Sequence, residues 1–370
     1  MGVPASSLAP PRQFQPRLIV SKLLASITFS FVCATASFAA DAYKWSVQYI
    51  VDNSIQVMGR PQKKWPRNNR GLALSPDGKT LYIGYLHSWN NQGEIRRVVV
   101  DVEDYEEATV AVLQGPLPKA IATDDKGRVY IADPQGILIY DADLEQFEHK
   151  IHVTSCEGVA TVREGGKLLL FASERGSGEI HRWVLKEDGD KVVGAEANGF
   201  DGTGVFKVPG ALSLRGLDVD ASGNIWVCDY DANKVFRIRK DGKDLASVEV
   251  KTPIDLGFDG KRVFVTRGLA RTITVLDDSL VVVGNLDVPW EELELSYYGN
   301  NRHGSIAGIA TVPGKGFYVA NEAGQTAGQR SIYGKADDDA DIVEGKVYRD
   351  SHGDDNDPIL KATAVVAQGQ

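Results

Sequence analysis

A short phrase of apolar and polar positions recurs six times along the chain. Each copy opens with a few apolar residues, turns at Asp-Gly or a related pair, and returns through a β-rich stretch. The copies are Arg70–Tyr85 (RGLALSPDGKTLYIGY), Lys119–Asp133 (KAIATDDKGRVYIAD), Glu157–Ser173 (EGVATVREGGKLLLFAS), Arg215–Asp229 (RGLDVDASGNIWVCD), Ile254–Thr266 (IDLGFDGKRVFVT) and Ala307–Asn321 (AGIATVPGKGFYVAN). Their starts lie 38 to 58 residues apart, a period that means one supersecondary unit per copy. Strand-like sequence follows each copy, at Glu94–Val102, Gly136–Tyr140, Glu179–Leu185, Lys234–Arg239, Arg271–Leu276 and Lys346–Arg349. A further stretch usually comes next, as at Thr109–Leu113, Lys150–Thr154, Ala246–Val250 and Leu280–Gly284.

Four antiparallel strands per unit, joined by glycine turns, predict a propeller blade. Helical periodicity is almost absent, one turn at Trp290–Ser296 being the exception. The expected fold is all-β, a six-bladed β-propeller of four-stranded antiparallel blades. Seven blades is the alternative, and a β-sandwich accommodates six regular copies poorly. An open ring would leave strand edges exposed, so a terminal strand is needed to fasten it. Lys44–Val51 is the first choice for the outer strand of the last blade, with Ile359–Val366 competing for that place.

The 370 residues are 43% hydrophobic and 25% charged, enough apolar content for a large buried core. Gly 38 is about one residue in ten and fits a turn-rich fold. The net charge of −9 argues against nucleic acid as partner, since phosphate binding needs a basic face.

Residues 1–39 read as a secretory signal. Arg12, Arg17 and Lys22 form a basic leader, Leu23 to Ala36 is uncharged and mostly apolar, and Ser37 and Ala39 fit a cleavage site. That run is short for a membrane span, which needs about 20 apolar residues, and no other stretch qualifies. The expected organisation is therefore 1–39 signal peptide and 40–370 a single propeller, secreted or periplasmic, with no membrane span. Cys156 and Cys228 remain, and the choice between a disulfide and two buried thiols stays open.

In a propeller the first strand of each blade lines the axis. The residue opening that strand is Arg70, Lys119, Glu157, Arg215, Ile254 or Ala307 in the six copies. Three cations and one carboxylate are thus expected at one channel mouth, which suits an anionic ligand. A ring paired within itself is the alternative. Positions after the second strand add Arg267, Tyr230, Asp133, Glu174, Asp229 and Glu322. Arg267 and Glu322 join the candidate ligand-binding set. The carboxylates would either gather calcium oxygens or cap turns.

His87 follows the second strand of blade 1 and His303 precedes the first strand of blade 6. These blades neighbour in a closed ring, so the pair is a candidate general acid/base dyad. Asp337, Asp339 and Asp341 alternate like the start of a calcium loop and are the candidate metal ligands. Ile342 stands where such a loop needs Gly and Tyr348 where it needs Glu, so this is no EF-hand. No cofactor is required by the pattern, and calcium is the candidate.

The phrase SPDGKTLYIG at 75–84 resembles that of the senescence-marker-protein/gluconolactonase family, and Arg215–Lys240 resembles an NHL repeat. The resemblance implies a six-bladed propeller with a divalent metal, usually calcium, in the central channel. Its implied ligands include an Asn and an Asp just before the Gly of the first strand. Arg70 and Arg215 stand at the matched positions, and a guanidinium cannot coordinate a metal. The leading expectation is a secreted propeller that binds an anionic small molecule or a protein partner at a cationic mouth. The alternative is a gluconolactonase-like metal-dependent hydrolase with an altered metal site.

Overall fold

The computed structural model describes residues 43–50, 56–57, 60–61, 67–87, 92–102, 108–260, 262–268, 270, 272–289, 305–322, 341–343, 346–348 and 358–364. The six phrases form the blades of a six-bladed propeller. From inside to outside, blade 1 is Arg67–Leu74, Thr80–His87, Gln92–Val99 and Thr109–Gln114. Blade 2 is Ala120–Thr123, Val129–Asp133, Gly136–Tyr140 and Phe147–Ile151. Blade 3 is Cys156–Glu164, Lys167–Glu174, Glu179–Asp188 and Lys191–Ala197, with an extra edge strand Val205–Lys207. Blade 4 is Leu214–Val219, Ile225–Asp229, Lys234–Ile238 and Leu245–Glu249. Blade 5 is Pro253–Asp259, Arg262–Arg267, Thr272–Asp277 and Val282–Asp287.

Blade 6 is built from both ends of the chain. Ser305–Val312 and Gly316–Glu322 are its inner strands. Pro358–Ala364 pairs with Gly316–Glu322 as the third strand, and Tyr43–Ile50 pairs with Pro358–Ala364 as the fourth. The two terminal strands do not compete; both are used. Lys346–Arg349 is not the third strand, a correction to the sequence expectation. Lys346–Tyr348 instead pairs with Asp341–Val343 in a separate two-stranded hairpin. The longer strand buries Ala362 beside Phe317, apolar contact that three residues of mixed polarity do not offer.

The turns between first and second strands repeat one device. Asp124 Oδ1 accepts from the Lys126 and Arg128 amides at 3.0 Å each. Asp220 Oδ1 accepts likewise from Ser222 and Asn224. The glycine that follows, Gly127 or Gly223, sits at φ 83° or 82°, where an L side chain would be strained.

Apolar residues on alternate sides of each blade bury into its two neighbours. Six hydrophobic clusters result, one in each seam. Val129–Asp133 and Ile225–Asp229 are buried at all five positions because both faces of the sheet are covered. Cys156 lies in the seam between blades 2 and 3, and Cys228 in that between blades 4 and 5. Both are buried free thiols, so no disulfide joins them. Among the described residues no helix is long and apolar enough to cross a membrane.

Candidate binding site at the channel mouth

The residues that open the inner strands share a backbone irregularity. Strand register shifts at Arg70-Gly71, Glu157, Arg215-Gly216, Ile254-Asp255 and Ala307-Gly308, in five of the six blades. A bulge re-aims the side chain it carries, and these lie at one end of the axis. Buried hydroxyls pin two of them. Ser173 Oγ donates to the Arg215 carbonyl and Thr266 Oγ1 to the Ala307 carbonyl, each at 2.5 Å across a seam.

A cavity of about 110 Å³ opens there, lined by Arg70, Lys119, Glu157, Arg215, Tyr230, Ile254 and Asp255 among others. Arg215 Nη1 donates to Glu157 Oε2 at 3.1 Å, and Arg175 Nη1 approaches Glu157 Oε1 at 3.6 Å. The Arg215 guanidinium lies 5.1 Å over the Tyr230 ring. Its buried Nε has no hydrogen-bond partner among the described residues. Lys119 is half-buried, and among the described residues its ammonium has no ion-pair partner. Burial lowers the Lys119 pKa, and the Arg70, Arg215 and Arg175 charges lower it further against the pull of Glu157. Two carboxylates, Glu157 and Asp255, therefore share the lining with three cations, and Arg175 approaches Glu157 as a fourth.

Other sequence candidates lie elsewhere. Arg267 is turned away, its Nε donating to the Lys251 carbonyl at 3.0 Å and its Nη1 to Thr272 Oγ1 at 3.2 Å. Asp133 and Asp229 are turn clasps. Asp133 accepts from the Leu117 and Gln135 amides, and Asp229 from those of Leu212, Ser213 and Ala232. Glu322 ends the second strand of blade 6 opposite Ser305 and Asn68, and His87 ends that of blade 1 opposite Arg67. The side chains of Glu322 and His87 lie outside the described residues, as do His303, Asp337 and Asp339. Asp341 is described only as backbone, paired with Tyr348.

The channel below the mouth is a second cavity of about 200 Å³. Two carboxylates line it, Asp218 and Asp255. Asp218 Oδ1 accepts from the Val219 amide at 2.8 Å. Asp255 accepts from the Leu256 amide at 3.0 Å and from Ile309 across the seam at 3.3 Å. Neither has an ion-pair partner among the described residues. Burial pushes each carboxyl up to about 7, with the charge of Asp220 adding at Asp218 and that of Asp218 adding at Asp255. The sequence does carry a signal for Asp255. It stands where four of the other inner strands have Gly and one has Ala, at the second position of the phrase.

The guanidinium groups of Arg70 and Arg215 cannot coordinate a metal ion. No family model matches the chain, and no curated protein matches it. Solved structures are similar at low identity. One, of a nidogen/laminin complex, is 13% identical with a TM-score of 0.49, over 72% of this chain and 96% of that one. A virginiamycin B lyase from Staphylococcus aureus is 11% identical with a TM-score of 0.48, over 87% of this chain and 100% of that one. The WD40 repeats of RRP9 are 12% identical with a TM-score of 0.46, over 75% and 78%.

Proposed function

We propose that this protein is an exported binding propeller whose channel mouth takes a small anion, a carboxylate or a phosphate. Arg70, Lys119 and Arg215 would contact the ligand, and Glu157 and Tyr230 would hold Arg215 in place. One observation carries the reading. Lys119 stands in a partly desolvated cavity beside two arginines, without an ion-pair partner among the described residues. An anion entering there relieves repulsion among three cations and gains charge-assisted hydrogen bonds.

The gluconolactonase-like reading has less support, because the two matched ligand positions carry Arg70 and Arg215, both lining the cavity. Calorimetric titration with inorganic phosphate, citrate and calcium separates the readings. Saturable binding of either anion at the wild-type mouth, lost in Lys119→Gln, is expected. Stoichiometric calcium in the channel would overturn the anion reading. Export rests on the sequence of residues 1–39, and an exported chain beginning at Ala40 is its expected product.

A further inference from the structure

The top of the seam between blades 2 and 3 carries a cluster that the mouth does not use. Glu174 ends the second strand of blade 3 and Glu179 begins the third, and the two are directly paired in register. His181 lies two residues beyond Glu179 and so shares its face of the sheet. His181 Nε2 is 3.1 Å from Glu174 Oε2. One ligand atom from each of Glu174, Glu179 and His181 falls within 4.8 Å of the others.

Like charges directly opposite across paired strands destabilise a sheet. Elsewhere on this protein such charge is answered. Glu157 meets Arg215, Glu187 meets Arg163 and Arg128, and Glu94 meets Arg96. Among the described residues Glu174 meets only His181, and Glu179 meets no cation within ion-pair distance. Arg175, next in sequence, is directed to Glu157 instead. Lys207 stands opposite Glu179 on the extra edge strand, yet makes no ion pair with it.

The imidazole is also held in place. It stacks on Trp183 with the rings 5.6 Å apart and 7° from parallel. Glu174 and His181 are each half-buried, with side chains 17% exposed, so both are partly desolvated and still reachable.

We propose that Glu174, Glu179 and His181 form a binding site for a first-row divalent cation of the zinc class. One nitrogen and two carboxylate oxygens suit that class, and soft thiolate ligands are absent from the cluster. The cation would replace the His181–Glu174 hydrogen bond, neutralise the opposed carboxylates and keep an open coordination position toward solvent. The site is separate from the anion-binding mouth and does not depend on it.

The test is competition for Zn²⁺ between a chromophoric chelator and the full chain, stripped of metal beforehand. One equivalent is expected to bind the wild type and to raise its Tm. His181→Asn and Glu174→Gln should each weaken binding by about 100-fold or more, the upper range for groups that merely support a metal ligand. Neither variant should gain Tm from Zn²⁺. Glu179→Gln, at the half-buried start of its strand, supplies the same readout if either of the others fails to fold. Absence of saturable binding to the wild type would overturn the proposal. So would wild-type affinity in the folded variants, which would leave His181 and Glu174 a plain ion pair.

Discussion

Glu157 and Arg215 meet at 3.1 Å across the seam between blades 3 and 4, each at the opening of its inner strand. Glu157 is only 8% exposed, so this pair is shielded from solvent on one side. It fixes Arg215 against Tyr230 and answers a single positive charge at the mouth. Glu157→Gln should therefore act in two directions. The fold should lose about 2 kcal/mol, because Arg215 loses a charged partner. Anion affinity should rise about tenfold, because the carboxylate paired with Arg215 at the mouth is gone. Urea denaturation and calorimetric titration read the two effects, and a loss of both stability and affinity would make Glu157 a positioning group above all.

The channel carboxylates predict an alkaline cost. Asp218 and Asp255 are raised to about 7 in the folded chain, above the ordinary carboxylate range. Between about pH 4 and 7 the folded state binds more protons than the unfolded state. Stability from this pair is thus complete at low pH, falls as pH rises through that window and levels off above 7. The double variant Asp218→Asn, Asp255→Asn keeps the shapes and removes the titration. It should gain on the order of 2 kcal/mol over the wild type at pH 8 and little at pH 4. Urea denaturation at the two pH values checks this, and equal differences at both would contradict it.

Close packing at the axis predicts a second, separable effect. A Cβ added at Gly216 would lie 2.1 Å from Asp255 Oδ1, and one at Gly308 would lie 2.5 Å from the Arg70 carbonyl oxygen. Gly308→Ala meets backbone that cannot yield and should cost about 3 kcal/mol. Gly216→Ala meets the Asp255 side chain and also its Cα at 2.8 Å, so Asp255→Ala should recover part of its loss. A double-mutant cycle by thermal melting measures that coupling. Simple additivity of the two substitutions would rule out the contact.

Ring closure predicts where the fold is most sensitive at its ends. Tyr43 on the terminal strand packs 5.9 Å from Phe264 of blade 5 and 5.3 Å from Phe317 of blade 6. It is 4% exposed. Tyr43→Ala should cost about 3–5 kcal/mol, as for a core aromatic. A melting temperature near that of the wild type would mean that the strand is not needed to fasten the ring.

The blades were legible because glycine turns and apolar alternation recur in all six copies of the phrase. The residues at the mouth were legible for the same reason, since Arg70, Lys119, Glu157 and Arg215 share one place in the phrase. The closing strands were harder. Pro358–Ala364 follows a long insertion, and the nearer segment Lys346–Arg349 carries an equally strand-like pattern. The channel acids were passed over because Asp255 breaks the glycine column while Asp218 sits among ordinary strand residues. The cluster at His181 depends on a cross-strand register, Glu174 against Glu179, that no local spacing announces. The extra strand Val205–Lys207 is short and lies in a glycine-rich connection, so periodicity could not mark it.

The proposed function places an anion against Arg70, Lys119 and Arg215 at the channel mouth. Calorimetric titration of the wild type and of the double variant Arg70→Asn, Arg215→Asp with inorganic phosphate and with citrate is the decisive measurement. The wild type should bind at least one of these anions at a single site. The variant should bind that anion about 100-fold more weakly or not at all, about a factor of ten for each arginine removed. Equal affinity in the two proteins would contradict the account.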